Sequence, residues 1–512
     1  MLRDKIEKLI DKIAEKYDIG KESYTVDRSA IPEQGLYYTN IVLKNRKNIT
    51  SNVIVKEIKE LDSYDLIKKT NIAKPDFVNL DINNKILYEE LNEILEQGDD
   101  YGQLKIGKNK KVQVEFISAN PTGPLTVGNA RGGPYGDVLA NVFNKAGFKA
   151  KKAYYVNNFG QQIRELGDEN GRYQGNKINI QREQAQIKLK TKDFLEVGQC
   201  LADWILKDMI QKTIDKMNIK YDEWIFESDL HKGKKVDKII EFLRDKDLIY
   251  KKEDAEWFKS SDFGDERDRV IIKKDGNKTY LAGDIALHDD KFKKFDKVIN
   301  IWGADHHGDI LGLMAGVEAI GYKDKLEVIL LQFVTILEKG EKQKMSKRAG
   351  TYVLMDELLN KVGVDATRFF FLQKSSDTHL NFDLELAREQ SSKNPVFYVQ
   401  YAYTRICSIL RKTGLKEKGD LDKLTHPAEL NLIKQLIKFP EIIKDTAQDY
   451  QIQRIPYYAI ELANNFHRFY ENCRVLGEDN EIVQSRVSLI KATQIILKNT
   501  LELMGISTPE KM

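Results

Sequence analysis

Two segments of this 512-residue chain carry residue types suited to handling phosphate. The first is a glycine-rich run at 118–133, SANPTGPLTVGNARGG, and the second is KMSKRAG at 344–350. A glycine-rich turn that opens a helix lets backbone N–H groups approach a polyphosphate, and lysines on a loop can clamp its oxygens. Together the two segments predict a site that binds the phosphates of ATP.

Apolar patterning places the first segment between two strands. Val112, Val114 and Phe116 alternate with polar residues, and 153–156 (AYYV) is typical of a second strand. A glycine-rich turn and a helix are predicted between them, so the two strands should be parallel. Further strands at 298–303 and 328–331 indicate a doubly wound sheet, in which ligands bind beyond the carboxyl ends of the strands.

Two local features of this region are less regular. Residues 270–272 and 279–281 flank Asp275-Gly276, a turn pair that predicts a β-hairpin. Pro134 has no N–H group and lies where the helix should be running. It should therefore either displace the start of the helix or kink it.

The chain is too long for one hydrophobic core and divides into three regions. Residues 1–100 indicate a small N-terminal α/β module that starts with an amphipathic helix. Residues 105–378 indicate a Rossmann-like catalytic domain with a doubly wound parallel sheet, and 380–512 indicate a helical bundle. The predicted fold class is therefore multidomain α/β plus all-α.

Composition limits the class of protein further. No stretch approaches the ~20 apolar residues that a membrane-spanning helix needs. The three cysteines lie far apart, so neither a disulfide framework nor a zinc site is expected, and a cytoplasmic location fits. The net charge is only +3, so any nucleic-acid surface must come from local patches.

The two phosphate-handling segments resemble the signatures of class I aminoacyl-tRNA synthetases, and their surroundings resemble the arginyl-tRNA synthetases. In that family TVGN at 126–129 would read His-Ile/Val-Gly-His, with histidines that stabilise charge on the transferring phosphate. Thr126 and Asn129 can donate hydrogen bonds in their place but cannot carry positive charge. The implied catalytic residues are Thr126, Gly128, Asn129, Lys344 and Lys347. The implied ATP-binding residues are Pro121, Thr122, Gly123, Pro124, Leu125, Val127, Gly303, Asp305, His306, Met345 and Ser346.

The resemblance also implies a pocket for arginine, formed by Glu115, Ser118, Asn120, Tyr280 and Asp284. An enclosed carboxylate recognises a guanidinium group through a bidentate, charge-assisted hydrogen bond that lysine cannot imitate. Bland alternatives stand beside these assignments. Asp284 also fits a helix N-cap, and Tyr280 a packing position in a strand.

The segment WGADHHG at 302–308 ends a predicted strand at the binding edge of the sheet. Its Asp-His-His triplet lacks an evident third ligand, and adjacent strand residues point in opposite directions, so a metal site is not expected. The resemblance assigns this segment to the adenosine and amino-acid pocket, with Asp305 or His306 contributing.

In the helical region, 394–406 and 466–476 resemble the anticodon-binding domain of the arginyl enzymes. Aromatic residues interleaved with arginine suit stacking on unpaired bases, although most of this stripe should be core. The implied tRNA-binding residues are Tyr398, Tyr401, Arg405 and Arg474. Over residues 1–100 the resemblance is weak; there the family has a domain that contacts the tRNA elbow.

The resemblance implies that L-arginine is activated by ATP with Mg²⁺ and transferred to the terminal 2′-OH of tRNA(Arg), and that activation requires bound tRNA. It implies a monomer with no zinc, no organic cofactor and no membrane partner. Two alternatives remain open. A silent relative that binds tRNA or arginine would explain Thr126 and Asn129, and a synthetase for another amino acid would need a pocket without Asp284.

Overall fold

The computed structural model describes residues 1–29, 34–342, 353–414 and 419–512. In the N-terminal region an antiparallel sheet of four strands, ordered β1-β2-β4-β3, packs with four helices. These elements are α1 (Leu2–Lys16), β1 (Val26–Arg28), β2 (Tyr37–Thr39), α2 (Ile41–Lys44), α3 (Ser51–Leu61), β3 (Ile67–Ala73), β4 (Phe77–Ile82) and α4 (Asn84–Gln97). The predicted amphipathic first helix is confirmed: its Ile6, Ile10 and Ile13 are fully buried.

The central region contains a five-stranded, entirely parallel sheet with the strand order β12-β11-β5-β6-β7. Its first half comprises β5 (Lys111–Glu115), α5 (Val127–Ala130), α6 (Gly132–Lys145), β6 (Lys149–Val156), α7 (Gln161–Gly167), α8 (Asn176–Leu189), α9 (Phe194–Ile205), α10 (Gln211–Lys216), β7 (Glu223–Phe226), α11 (Glu227–Lys232) and α12 (Lys235–Asp245). Its second half comprises β8 (Ile249–Lys252), β9 (Ala255–Phe258), β10 (Arg269–Ile272), α13 (Tyr280–Phe292), β11 (Lys297–Gly303), α14 (Ile310–Ala319) and β12 (Leu326–Leu331). The predicted parallel sheet is confirmed.

The strand order fixes where a ligand should bind. From β5 the chain first builds the sheet outward through β6 and β7, and later returns to add β11 and β12 on the other side of β5. The switch point of this doubly wound sheet therefore lies between β5 and β11. A crevice forms there beyond the carboxyl ends of the two strands.

The predicted β-hairpin is wrong in its second arm. The turn forms as expected, with Gly276 at φ +79° and the Lys273 N–H donating to the Asn277 carbonyl at 2.8 Å. Beyond it, however, only an isolated bridge joins Ile272 and Lys278, and α13 begins at Tyr280. The reason is that apolar residues from Leu281 onward recur at helical spacing, and this periodicity outweighs the short run of strand formers.

Pro134 lies near the beginning of α6, and the helix that follows the glycine-rich turn is divided. The single turn α5 ends at Ala130, Arg131 intervenes, and α6 begins at Gly132. Because a proline at 134 cannot donate to the Ala130 carbonyl four residues earlier, the regular bonding pattern stops at this point.

A smaller sheet and three helices close the central region. The sheet has the order β14-β13-β15, and β15 runs parallel to β13. These elements are β13 (Val334–Glu338), β14 (Glu341–Lys342), α15 (Met355–Val362), α16 (Val364–Leu372), β15 (Leu380–Asp383) and α17 (Leu384–Arg388). Residues 380–383 were expected to be helical, but they form a strand because they pair with β13.

The C-terminal region is helical from α18 onward. Its helices are α18 (Pro395–Thr413), α19 (Pro427–Leu436), α20 (Phe439–Asp449), α21 (Arg454–Asn472) and α22 (Asn480–Leu503). Local sequence sets their ends: the Asn394 side chain caps α18 with Pro395 at its first position, and Gly414 ends it in the left-handed conformation.

The N-terminal module is anchored on the C-terminal helices by buried polar contacts. The Arg28 guanidinium donates to the Glu441 carboxylate at 2.7 Å, and the Tyr37 hydroxyl donates to its other oxygen at 2.6 Å. Glu441 is only 2% exposed. A buried carboxylate satisfied by two donors fixes this junction more firmly than a surface pair would.

Candidate active site

Two adjoining cavities lie beyond the carboxyl ends of β5 and β11. The first has a volume of about 600 Å³ and the second about 500 Å³. Ser118, Asn120, Trp302, Gly303 and His306 line both. The sequence predicts a site at this edge of the sheet, and the largest group of the predicted site residues lies there.

The first cavity collects all five residues predicted to bind arginine: Glu115, Ser118, Asn120, Tyr280 and Asp284. Tyr280 and Asp284 lie one turn apart on α13 and so share a face. Both bland alternatives fail. Tyr280 is the first residue of a helix and 60% exposed, and Asp284 lies in the fifth position of α13 and does not cap it.

Asp284 is the most electrostatically unusual group in this cavity. Burial raises the pKa of its carboxyl group to about 8, with further contributions from the neighbouring carboxylates Glu227 and Glu115. In the described part of the chain, no lysine or arginine forms an ion pair with Asp284. A buried carboxyl group that lines a cavity without an ion-pair partner is suited to a cationic ligand.

Glu115 lies at the floor of the first cavity and is already partnered. Its carboxylate forms an ion pair with the buried ammonium group of Lys291 and accepts a hydrogen bond from the Ser118 hydroxyl at 3.1 Å. The Ser118 hydroxyl in turn accepts from the Tyr155 N–H at 3.0 Å. These contacts fix the orientation of Glu115 before any ligand arrives.

His288 lies on α13 and connects this helix to Asn300 on β11 without adding charge. One ring nitrogen contacts the Asp284 carbonyl oxygen at 2.7 Å, and the other contacts the Asn300 amide at 2.8 Å. Burial and the nearby Lys291 lower the pKa of His288 to about 3, so the imidazole is neutral at physiological pH.

Glu227 was missed by sequence reasoning and lies beside the first cavity, in a neighbouring one of about 570 Å³ to which Tyr280 also contributes. It is 7% exposed and begins α11 directly after β7. Of the neighbouring carboxylates, Glu227 raises the pKa of Asp284 most. Its carboxylate lies 3.5 Å from the His231 ring. The available signal was an acidic residue at the carboxyl end of a sheet strand, which in a doubly wound fold points to the ligand crevice.

The turn between the cavities is strained. Ile117 has φ +65° and Ser118 has φ +40°. A β-branched residue in the left-handed region is rare and costs about 1–3 kcal/mol. The strain places Ser118 between Glu115 and the Tyr155 backbone, where it borders both cavities.

The second cavity is lined by the predicted catalytic residues Thr126, Gly128 and Asn129. The Thr126 hydroxyl accepts from the Asn129 N–H at 3.2 Å and donates to the Asn129 side-chain oxygen at 2.6 Å. Because the threonine proton is used in this way, the NH₂ group of Asn129 is the donor left to face a ligand. Thr126 and Asn129 are therefore joined to each other by two hydrogen bonds.

The structure distributes the predicted ATP-binding residues among three settings. Gly303, Asp305 and His306 line the second cavity. Thr122, Gly123 and Pro124 line a wider groove of about 1010 Å³ that also contacts Thr126, Asn129 and Lys342. Pro121, Leu125 and Val127 are buried and support the turn from behind. Lys344, Met345, Ser346 and Lys347 lie outside the described residues.

An aromatic face on α18 and α21 carries three of the four predicted tRNA contacts: Tyr398, Tyr401 and Arg405. The Arg405 guanidinium donates to the Tyr401 hydroxyl at 3.3 Å and to that of Tyr470 at 3.0 Å. His467 stacks near Tyr401 with ring centroids 6.0 Å apart and was not predicted as a contact. Arg474 is exposed beyond the end of α21.

Within the described residues, no group of three or more histidine, cysteine or carboxylate side chains is arranged to hold a metal ion. Over the same part of the chain, the longest apolar helices fall short of what is needed to cross a bilayer.

Comparison with known proteins agrees with this architecture. Residues 90–188 and 168–390 match the family described as tRNA synthetases class I (R), catalytic domain, and residues 399–512 match the DALR anticodon binding domain. Fold and site together define a class I aminoacyl-tRNA synthetase.

Individual relatives show to which family within this class the chain belongs. The arginine–tRNA ligase of Bacillus subtilis (strain 168) is 41% identical over 477 residues, which span 87% of this chain and 86% of that protein. The Bacillus licheniformis arginine–tRNA ligase is 41% identical over 517 residues, spanning 93% and 92%. The structure of Thermus thermophilus arginyl-tRNA synthetase shares the fold over 100% of both chains, with a TM-score of 0.83 at 21% identity. This chain belongs to the arginine–tRNA ligase family.

Proposed function

We propose that this enzyme activates L-arginine with ATP·Mg²⁺ to an arginyl-adenylate and transfers the arginyl group to the terminal 2′-OH of tRNA(Arg), releasing AMP and pyrophosphate. The single observation that carries this assignment is the junction of an acidic cavity with a glycine-rich one. Glu115 and Asp284 line the first, and Thr126, Gly128 and Asn129 line the second. An arginine guanidinium fits the former and a polyphosphate the latter.

Substrate positioning accounts for the first step. With the guanidinium held by Asp284 and Tyr280, the α-carboxylate of arginine extends toward Ser118 and Asn120, which border both cavities. There it attacks the α-phosphorus of ATP in line, and pyrophosphate leaves. Little covalent chemistry is required of the protein, so orientation and hydrogen-bond donors such as the Asn129 amide provide the catalysis.

The tRNA is recognised by separate domains. Residues 395–512, from α18 onward, form the anticodon-binding domain, with Tyr398, Tyr401, Arg405 and Arg474 as tRNA contacts. Residues 105–388 form the catalytic domain, which includes β15 and α17, and residues 1–100 form an accessory domain that contacts tRNA. The enzyme works as a monomer in the cytoplasm, and arginine activation requires bound tRNA.

Pyrophosphate exchange tests this function. Purified protein is incubated with ATP, labelled pyrophosphate and arginine, with and without bulk tRNA, and lysine or citrulline replaces arginine as a control. We expect exchange only with arginine and tRNA together. Folded protein that binds tRNA but gives no exchange would instead identify a binding protein in which Thr126 and Asn129 have replaced the catalytic histidines.

A further inference from the structure

Arg131 is a buried cation in the wall of the second cavity. The residue directly follows α5 in the chain, and it is 3% exposed. The guanidinium group donates only to backbone carbonyls among its recorded partners: those of Gln332, of Phe333 at 3.3 Å, of Ser375 at 3.3 Å and of Thr378 at 2.8 Å. One arginine thus joins the glycine-rich turn at 118–133, the signature turn, to two other segments of the chain.

Arg131 carries a charge that no ion pair within the described residues balances. Among the described residues, no carboxylate forms an ion pair with it, in contrast to the buried Arg368, which pairs with Asp137. Burial lowers the pKa of the guanidinium group to about 10, so it remains charged at neutral pH. Carbonyl dipoles satisfy its hydrogen-bonding groups, but a buried net charge is costly unless an anion lies nearby.

One of the two segments that Arg131 fixes lines the second cavity, and the other supports it. Gln332 and Phe333 connect β12 to β13 and line the second cavity together with Thr126 and Asn129. Ser375–Thr378 form the turn before β15, and the Gln332 N–H donates to the Ser376 carbonyl at 2.9 Å, so this turn supports the connection from behind. Arg131 is therefore the side chain that ties both segments to the signature turn.

We propose that Arg131 is a positioning residue of the ATP site, which fixes the β12–β13 connection against the signature turn and supplies the positive charge that Thr126 and Asn129 lack. The inference rests on the proposed assignment of the second cavity to ATP. In this arrangement the triphosphate of the substrate lies near the guanidinium group of Arg131 and balances its charge.

Two substitutions separate the charge from the fixed geometry. Arg131→Lys keeps the charge but loses the fork of donors, and Arg131→Gln keeps a donor but loses the charge. The KM for ATP, the KM for arginine and kcat are measured by tRNA-dependent exchange. For Arg131→Gln we expect the KM for ATP to rise roughly tenfold or more, as for loss of hydrogen bonds from a charged group, with the KM for arginine near that of the wild type. Arg131→Lys should recover part of the loss.

Arg182 provides a matched control. It is also 3% exposed and donates to the backbone carbonyls of Leu166 and Tyr173, but it lines none of the cavities described above. Arg182→Gln should lower thermal stability and leave the KM for ATP unchanged. If Arg131→Gln behaves like Arg182→Gln, or if the KM values for ATP and arginine rise together, Arg131 is only structural and the inference is overturned.

A surface variant keeps the test decisive if the Arg131 variants do not fold. Exposed Asp377 holds the Ser375 and Thr378 side chains, so Asp377→Ala loosens the turn that supplies two of the carbonyls. It should raise the KM for ATP in the same direction, and no change would count against the inference. Thr126→Val reports on the cavity itself. If it alters the KM for ATP while the Arg131 and Asp377 variants do not, the positioning role fails and the ATP assignment stands.

Discussion

Lys291 and Glu115 form an ion pair in which both side chains are almost completely buried, at 2% and 6% exposure. The Lys291 ammonium group also lies 3.4 Å from the Asn300 side-chain oxygen. The charge of Glu115 is therefore balanced within the protein. Asp284, with Glu227 in the neighbouring cavity, is left as the group whose negative charge a bound guanidinium would offset.

Removing Lys291 should damage both stability and arginine binding. Lys291→Met leaves the Glu115 carboxylate buried without its partner, which costs about 3–5 kcal/mol. We expect the free energy of unfolding in urea to fall by about that amount and the KM for arginine to rise. The double variant Lys291→Met with Glu115→Gln should recover most of the stability but not the arginine binding. Equal stability of the single and double variants would contradict the pairing.

The KM for arginine should depend on pH through Asp284. With a pKa of about 8, this carboxyl group is mostly protonated at pH 6.5, yet the guanidinium requires the carboxylate. Binding therefore releases a proton, so the KM for arginine should fall about tenfold per pH unit from pH 6.5 toward pH 8 and then level off. Proton release can be measured by calorimetry in buffers of different ionisation enthalpy. A flat profile would show that Asp284 is already charged.

Asp284→Asn should raise the KM for arginine steeply and abolish this pH dependence, because the ionic fork is lost. The KM for ATP should change little, since the residue lines only the first cavity. Asp208→Asn, at a half-exposed ion pair with Lys212, is the matched control and should leave both values unchanged. An unchanged KM for arginine in Asp284→Asn would remove this residue from the pocket.

Glu227→Gln should separate charge repulsion from binding. Removing this neighbouring charge lowers the pKa of Asp284, so the break in the pH profile should move below pH 8. At pH 8.5, where Asp284 is charged in either protein, the variant should still show a raised KM for arginine because one carboxylate is missing. Glu223→Gln, on the adjoining strand β7, should have neither effect. A break that stays near pH 8 would mean that Glu227 does not contribute to the raised pKa of Asp284.

The central sheet was predictable because its strands carry strong local signals. Val112 and Val114 alternate with polar residues, and the βαβ rule then fixes the parallel pairing with 153–156. The second arm of the hairpin was not predictable from three residues, since Thr279, Tyr280 and Leu281 are strand formers individually and the helix depends on the residues after them. Likewise, pairing with β13 decides the state of residues 380–383.

Some residues of the site could likewise be predicted from the sequence and others could not. Residues within recognisable segments, such as Asp284 and Asn129, could be named from the sequence. Glu227 and Lys291 belong to no such segment and lie beside the first cavity only because β7 and α13 bring them there. The hydrogen bond from Thr126 to Asn129 also depends on side-chain geometry, so the sequence alone could not show that only one of the two has a donor left for the ligand.

Lys347→Ala tests the second phosphate-handling segment, which the sequence alone places in the mechanism. If this lysine engages the phosphates only as the transition state forms, kcat should fall much more than the KM for ATP rises. Lys339→Ala, an exposed lysine just before Gly340, is the control and should leave both values unchanged. A rise in KM without loss of kcat would indicate uniform binding of ATP instead.

The aromatic face of the C-terminal region should act on tRNA alone. Tyr401 is 41% exposed and stacks near His467, so a splayed base can lie against its free surface. Stacking of a base on an aromatic side chain contributes about 1–3 kcal/mol, so Tyr401→Ala should raise the KM for tRNA roughly tenfold, whereas Tyr401→Phe should retain it. Tyr457, 47% exposed near the start of α21, supplies the matched alanine control. Because both reaction steps occur in the central region, the KM values for ATP and arginine at saturating tRNA should not change, and a parallel rise in all three would mean that Tyr401 stabilises the fold instead of contacting RNA.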